Sequence, residues 1–331
     1  MLSRRGGDAL SRDHWAEIER WADVTVVRTD AAPDRRSAVR VLAGADLVGA
    51  TNLCLPAIDA ELLDALPRLR GIVLYATGYD HLDVALLRSR GVGLSVLPDY
   101  ATTSVAEHCL AMLFALATRL HLANDRSRGR VGPGVSLRGV ELSGRTLGVV
   151  GVGRIGRAVA HRARLLGMRV MGTDPDERAA DRARAQGVTM ASPDELLSGS
   201  HAVAVCASHA FGAPPILGRA ELAALRPGAL LVNVARPALV DTAAVLESVR
   251  SERIRGYAVD DSVLDPVCDD DVLSQGRVLQ TGHSAWWRDE TLERGARMWG
   301  ERLVAAVRDR PRDAVTWPAT EPADQTAEVV G

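Results

Sequence analysis

Short apolar runs alternate with longer helix-prone segments along nearly the whole chain, and Gly, Pro, Asn or Asp punctuates the joins. In the first third the runs predict strands at Val24–Val27, Asp46–Val48, Gly71–Leu74 and Val92–Val96, with helices near Ala57–Leu66 and Val84–Arg90. A second series starts with strands Leu147–Val150 and Met168–Asp174 flanking a helix Ile155–Leu166. It continues through strands Val203–Cys206, Ala229–Val234, Tyr257–Val259 and Val278–Thr281, with helices near Arg219–Leu225 and Thr242–Arg250. Alternation of this kind predicts an α/β protein with two doubly wound parallel sheets, the second of six strands. Ser104–Arg119 is predicted as a long connecting helix, with Ser104 and Glu107 placed as a capping box. Asp289–Arg308 is predicted as a helix that returns to the first series. The two crossings define a discontinuous domain of residues 1–103 and 285–331 and an inserted domain of residues 104–284, with an interdomain cleft as the natural substrate site.

The second series opens on the sequence Thr146-Leu-Gly-Val-Val-Gly-Val-Gly-Arg-Ile-Gly156. Here an apolar strand runs into glycines spaced G-x-G-x-x-G and then into a helix. Gly151 permits the tight turn, Gly153 lets backbone approach a pyrophosphate, and Gly156 lets helix and strand pack closely. The pyrophosphate then sits at a helix N-terminus, where free N–H groups favour an anion. Asp174 ends the next strand, 23 residues after Gly151. A carboxylate there accepts from a ribose 2′-hydroxyl and repels a 2′-phosphate, so the expected cofactor is NAD(H) rather than NADP(H).

Composition narrows the reading. At 331 residues, 47% apolar and 25% charged, the chain has enough to fill and solvate two ordinary domains. A net charge of −2 leaves no basic footprint for nucleic acid and no polybasic patch for a membrane. All 40 basic residues are arginine, which removes any lysine side chain from Schiff-base or general-base chemistry. Cys54, Cys109, Cys206 and Cys268 have neither C-x-x-C nor zinc-like spacing, so no metal is expected and the thiols read as reduced. The first eight residues lack the apolar core of a signal peptide, and Cys109–Ala117, the longest apolar run, is too short to span a bilayer. Those features place the protein in the cytoplasm, with a mobile tail after Trp317.

Reducing a carbonyl with a nicotinamide needs a proton donor for the developing alkoxide and a cation to polarise the oxygen. Both must come from strand ends of the cofactor domain. Three segments qualify: Asn233-Val-Ala-Arg236, Asp260-Asp-Ser-Val-Leu-Asp265 and Thr281-Gly-His283. An arginine, acids and a histidine thus fall on successive strand ends.

These motifs, with Ala76-Thr-Gly-Tyr-Asp-His-Leu-Asp83, Ser104-Val-Ala-Glu-His108 and Arg226-Pro-Gly228, resemble the D-isomer-specific 2-hydroxyacid dehydrogenase family over roughly residues 45 to 310. Ala50-Thr-Asn52 and Ala76–Tyr79 are similar to the hydroxypyruvate/glyoxylate reductase branch. Pro98-Asp-Tyr100 and Thr281–His283 are similar to D-lactate dehydrogenases. The resemblance implies a flavodoxin-like substrate domain, a Rossmann cofactor domain and a homodimer acting on a small 2-oxoacid or 2-hydroxyacid. It implies that Arg236 binds the substrate's carboxylate and carbonyl oxygen, that His283 is the acid/base, and that Asp265, followed by Pro266, orients His283 with Asp261 as the fallback. For the cofactor it implies Gly151, Gly153, Arg154, Ile155, Gly156, Asp174, Cys206, Val234, Ala235 and Asp260. For the substrate it implies Asn52, the backbone N–H groups of Thr77 and Gly78, Tyr100 and Trp286, with packing as the competing role for Tyr100 and Trp286.

Several positions depart from the family pattern. Asp265 stands where glutamate is usual, and is shorter by one methylene, on the order of 1.5 Å of reach. Pro237 and Gly282 replace a glycine and a proline beside Arg236 and His283, and Ala207–Pro215 keeps little of the usual loop. Three functions compete on this evidence: NADH-dependent reduction of a small 2-oxoacid to the D-2-hydroxyacid, an NAD(H)-sensing scaffold of corepressor type, and a pathway reductase for a larger or phosphonate-bearing oxoacid.

Overall fold

In the computed structural model, which describes residues 1–265, 270–308, 311 and 314–318, the strands form two separate sheets whose internal pairings are all parallel. They belong to two units: Met1–Tyr100 with the described residues from Asp289 on, and Ala101–Arg288. Pro266, Cys268 and the segment beyond 318 lie outside the described residues. Among those described, no single helix is long and apolar enough to cross a membrane.

The first unit carries β1 (Leu2–Ser3), β2 (Val27–Arg28), β3 (Leu47–Thr51), β4 (Gly71–Tyr75) and β5 (Gly93–Ser95), in the order β2-β1-β3-β4-β5. That is the flavodoxin-like arrangement. β1 was not expected. Two residues carry no periodicity, and this pair is a strand because Leu2 is clamped between Val27 and Ala50 and buried to 1% exposure. The helix Asp289–Val307 closes the core of this unit. Its Trp299 is fully buried, meets Tyr75 edge-on at 5.5 Å and donates its indole N–H to the Val73 carbonyl at 3.1 Å. Such a large apolar side chain is buried without strain because its one polar atom has a partner. An antiparallel bridge between Leu94 and Thr316 brings Trp317 over Gly71 and Gly93, where no Cβ fits.

The second unit carries β6 (Thr146–Val150), β7 (Arg169–Thr173), β8 (Thr189–Met190), β9 (Ala202–Val205), β10 (Ala229–Asn233), β11 (Ile254–Val259) and β12 (Val278–Gln280), in the order β12-β11-β10-β9-β6-β7-β8. The expected six strands are joined by β8, a two-residue edge strand. β9 and β10 are buried at every position, which explains why they read as unbroken apolar runs rather than alternating ones. The chain reverses direction across the sheet between β6 and β9, the switch point at which ligands bind open α/β sheets.

The connecting helix is Thr102–Thr118, and its capping box is not formed. The helix starts two residues earlier than expected, so Ser104 lies inside it and donates its hydroxyl to the Ala101 carbonyl at 3.0 Å. Glu107 faces Arg162 at 3.6 Å instead. Arg119 ends the helix in the left-handed region, φ 57°.

Candidate active site

Because the sheet of the second unit is parallel, all its strands end on one edge, and the candidate residues of this unit follow those ends. β6 runs into Gly151, whose φ of +87° suits glycine. A Cβ there would also come within 2.5 Å of the Ala207 Cα, so the turn can exist only without a side chain. A Cβ on Gly156 would drive into the Gly151 carbonyl oxygen, whereas one on Gly153 would meet nothing within 4 Å. The first glycine makes the turn and the third the packing, while the second faces open space at the start of the helix Arg154–Leu165. No side-chain hydrogen bond caps that helix at Gly153, and a helix N-terminus of this kind favours an anion.

Asp174 follows β7 and ties the turn down. One carboxylate oxygen accepts from Val152 N–H at 2.8 Å and the other from Asp176 N–H at 3.0 Å. Each oxygen keeps further acceptor capacity for a ribose hydroxyl. The nearby Arg157 has its pKa lowered by burial and by the guanidiniums of Arg182 and Arg154, with Asp174 opposing. Cys206 follows β9 and is hydrogen-bonded through its thiol to the buried Cys109, whose thiol pKa is pushed up by that bond and by burial.

At the end of β10, Asn233 is 1% exposed and works as a local clamp. Its Oδ1 accepts from Ala235 N–H at 3.0 Å and its Nδ2 donates to the Arg236 carbonyl at 2.8 Å, fixing the path through Val234 and Ala235. Tyr257 of β11 is hydrogen-bonded to the Asn233 side chain, and burial lifts its phenol to about 12. Pro237 begins the 3-10 turn Pro237–Leu239, a position at which a missing N–H costs little. Sequence reasoning gave Asn233 no role; the signal for it was an amide two and three residues before the groups it holds.

After β11 the fallback acid, Asp261, meets His283. Asp261 Oδ2 lies 3.4 Å from His283 Nδ1, while Asp265 is exposed further along the loop. The reason is the loop path. Gln280 at the end of β12 accepts from Val263 and Leu264 N–H, each at 3.1 Å, and donates to the Leu264 carbonyl, which pins residues 263–264. Asp261 itself comes directly off the strand. Its neighbour Asp260, 7% exposed, turns the other way and accepts from the Thr281 hydroxyl at 2.7 Å, Ser284 N–H at 2.8 Å and Ala285 N–H at 3.1 Å. Gly282 and His283 are consecutive left-handed residues, φ 62° and 57°. For histidine that backbone is strained, and the clamps on either side over-determine it. Trp286 stacks edge-on with Trp287 at 5.0 Å, and Trp287 is 61% exposed.

Four candidates lie in the first unit. Asn52 is exposed at the start of the 3-10 turn after β3. Thr77 and Gly78 follow β4, and the Thr77 hydroxyl donates to the Leu97 carbonyl at 2.6 Å. Tyr100 is 7% exposed and packs edge-on with Tyr75 at 5.4 Å, while its carbonyl accepts from Arg294 at 2.7 Å. The ring of Tyr100 is thus a packing element of this unit.

Comparison with known proteins places this architecture. The family model of the D-isomer specific 2-hydroxyacid dehydrogenase NAD binding domain matches residues 110–285. The glyoxylate reductase of Korarchaeum cryptofilum (strain OPF8) is 31% identical over 298 residues, 88% of this chain and 89% of that protein. The chain belongs to the D-isomer specific 2-hydroxyacid dehydrogenase family. Another family member, the D-3-phosphoglycerate dehydrogenase of Mycobacterium leprae (strain TN), is 32% identical over 261 residues, 79% of this chain and 49% of that protein. The chain spans about half the length of the phosphoglycerate dehydrogenases it matches. The TT0316 protein of Thermus thermophilus has the same fold, with 31% identity, a TM-score of 0.78 and coverage of 95% of this chain and 99% of that one. The matched domain is an NAD binding domain, and the open space at Gly153, the uncapped helix and the spare acceptors of Asp174 fit that cofactor.

Proposed function

We propose that this dehydrogenase reduces a small 2-oxoacid to the D-2-hydroxyacid. The pairing of His283 with Asp261, on the sheet edge that also carries Arg236, is the observation that supports this most directly. NADH, when bound at the Gly151 turn, supplies the hydride. Arg236 offers paired guanidinium donors to the substrate's carboxylate and carbonyl oxygen and stabilises charge on that oxygen. His283 delivers a proton to the same oxygen as it becomes a hydroxyl, and takes it back in oxidation. Asp261 accepts from Nδ1–H, which orients the ring and leaves Nε2 to exchange the proton. Asn52, Thr77 and Gly78 are assigned to substrate binding on the family resemblance. A single small carboxylate substrate is consistent with the match to glyoxylate reductases along most of their length. The homodimer and the cytoplasmic setting belong to the same proposal.

The test is NADH oxidation on glyoxylate, hydroxypyruvate, pyruvate, phenylpyruvate and phosphonopyruvate, with Arg236→Ala and His283→Ala alongside. Turnover that both substitutions abolish supports the reductase. Tight NADH binding with no turnover on the panel refutes it and favours the sensing scaffold, and turnover of phosphonopyruvate alone favours the pathway reductase.

A further inference from the structure

The loop that bears His283 is closed by a circuit of side chains, and one member of it comes from the connecting helix. His108 lies with Nδ1 3.1 Å from Arg288 Nη2 and Nε2 3.0 Å from the Thr281 hydroxyl. A guanidinium can only donate, so Nδ1 must carry a lone pair, and the ring proton is on Nε2 and points at Thr281. The Thr281 hydroxyl then donates to Asp260, which collects the N–H groups of Ser284 and Ala285. Arg288 completes the path, because its Nη1 donates to the carbonyls of Ser284 and Trp287 at 3.2 and 2.8 Å. Each donor in the ring has an acceptor and no proton is duplicated.

We propose that His108, as the neutral Nε2–H tautomer, is a positioning residue that holds the Thr281–Arg288 loop closed and thereby keeps His283 on Asp261. The inference rests on the acid/base reading of His283. Its geometry stands on the residues that bracket His283: Thr281 two before, Ser284 and Ala285 one and two after. A residue in a left-handed conformation relaxes unless both flanks are held, and here Asp260 holds both, Thr281 N–H also donates to the Val259 carbonyl at 3.2 Å, and His108 and Arg288 join the two ends. Burial is the main cause of a lowered His108 pKa; Arg288 adds to it and Asp260 opposes it, in keeping with a neutral ring.

Two substitutions cut the circuit at different points. His108→Asn keeps an acceptor where Nδ1 stood and loses the donor to Thr281; His108→Gln keeps the donor and loses the acceptor for Arg288. The Thr281 side carries Asp260 and both N–H groups, so Asn is expected to lower kcat about tenfold to a hundredfold with the KM for NADH unchanged, and Gln to recover most of that loss. His283 ring resonances, followed by NMR in the NADH complex, are expected to move in the Asn variant and stay near wild type in the Gln variant. Equal losses in the two variants, unmoved His283 resonances in His108→Asn, or an Nδ1–H tautomer for His108 in the wild type would each overturn the proposal. If the wild type reduces no oxoacid, the activity reading falls, and the resonances still decide whether His108 holds the loop.

Discussion

Two turns on the same sheet edge are built in opposite ways. The Gly151–Gly156 turn is made by backbone: what matters is which residues lack a Cβ and where the helix N–H groups point. The Thr281–Arg288 turn is made by side chains, and its partners Asp260 and His108 come from 21 and 173 residues away in sequence. A backbone-made site is written locally and tolerates change around it. A side-chain-made site depends on elements distant in sequence, and a strained residue can be held at its centre.

The sharpest way to break this contrast is at Gly156. Alanine there meets the Gly151 carbonyl, a backbone atom that cannot swing aside, so Gly156→Ala is expected to cost about 3 kcal/mol or more of stability and to abolish NADH binding. Urea unfolding and NADH fluorescence titration check both. Gly153→Ala has open space in front of it and is expected to keep the fold while weakening NADH. Similar stability losses for the two would mean that the three glycines do not divide their work as described.

His283→Gly tests the other turn. It removes the proton donor and relieves the left-handed strain, so turnover is expected to fall about 10² to 10⁴-fold while stability rises by about 1 kcal/mol. A variant both inactive and less stable would show that the His283 side chain, not the clamps around it, holds the loop.

Asp261 and Asp265 separate geometry from sequence position. Asp261→Asn keeps the size of the side chain and removes the charge facing His283, with an expected loss of about tenfold to a hundredfold in kcat and little change in NADH affinity. Asp265→Asn is expected to lose less. The reverse order would restore the acid that the family pattern indicates.

What was legible follows the same division. The fold class, the strands of the second sheet and the glycine turn were readable because buried parallel strands are continuous apolar runs and a turn without side chains has a fixed spacing. β1 and β8 were not, since two residues held by their neighbours show no pattern. Ser104 was read as a cap because Ser and Glu stand three apart, yet the helix begins before it. The partner of His283 was sought by counting positions from the family's glutamate. The path of the loop after β11 bears on it too, through Gln280, whose side chain pins Val263 and Leu264, and no residue count carries that.

The smallest expected effect is on stability in mild acid. His108, His121 and His201 all have lowered pKa values, burial being the first cause in each. In the unfolded chain they protonate near 6.5, above their folded values, so the unfolded state binds more protons as pH falls through that range. Their contribution is complete above about pH 6.5 and is lost as pH drops through the folded values. The carboxylates with lowered pKa, Asp34, Asp59, Glu195, Glu252 and Asp271, act later, below their ordinary range near 4. A urea midpoint measured from pH 7.5 downward is therefore expected to start falling near 6.5, well before the carboxylates titrate. His108→Gln should make that fall shallower, because one of the three rings is gone. A midpoint flat to pH 5 would mean that these half-buried rings take up protons as readily as free histidine, and the neutral His108 on which the loop circuit depends would lose its physical basis.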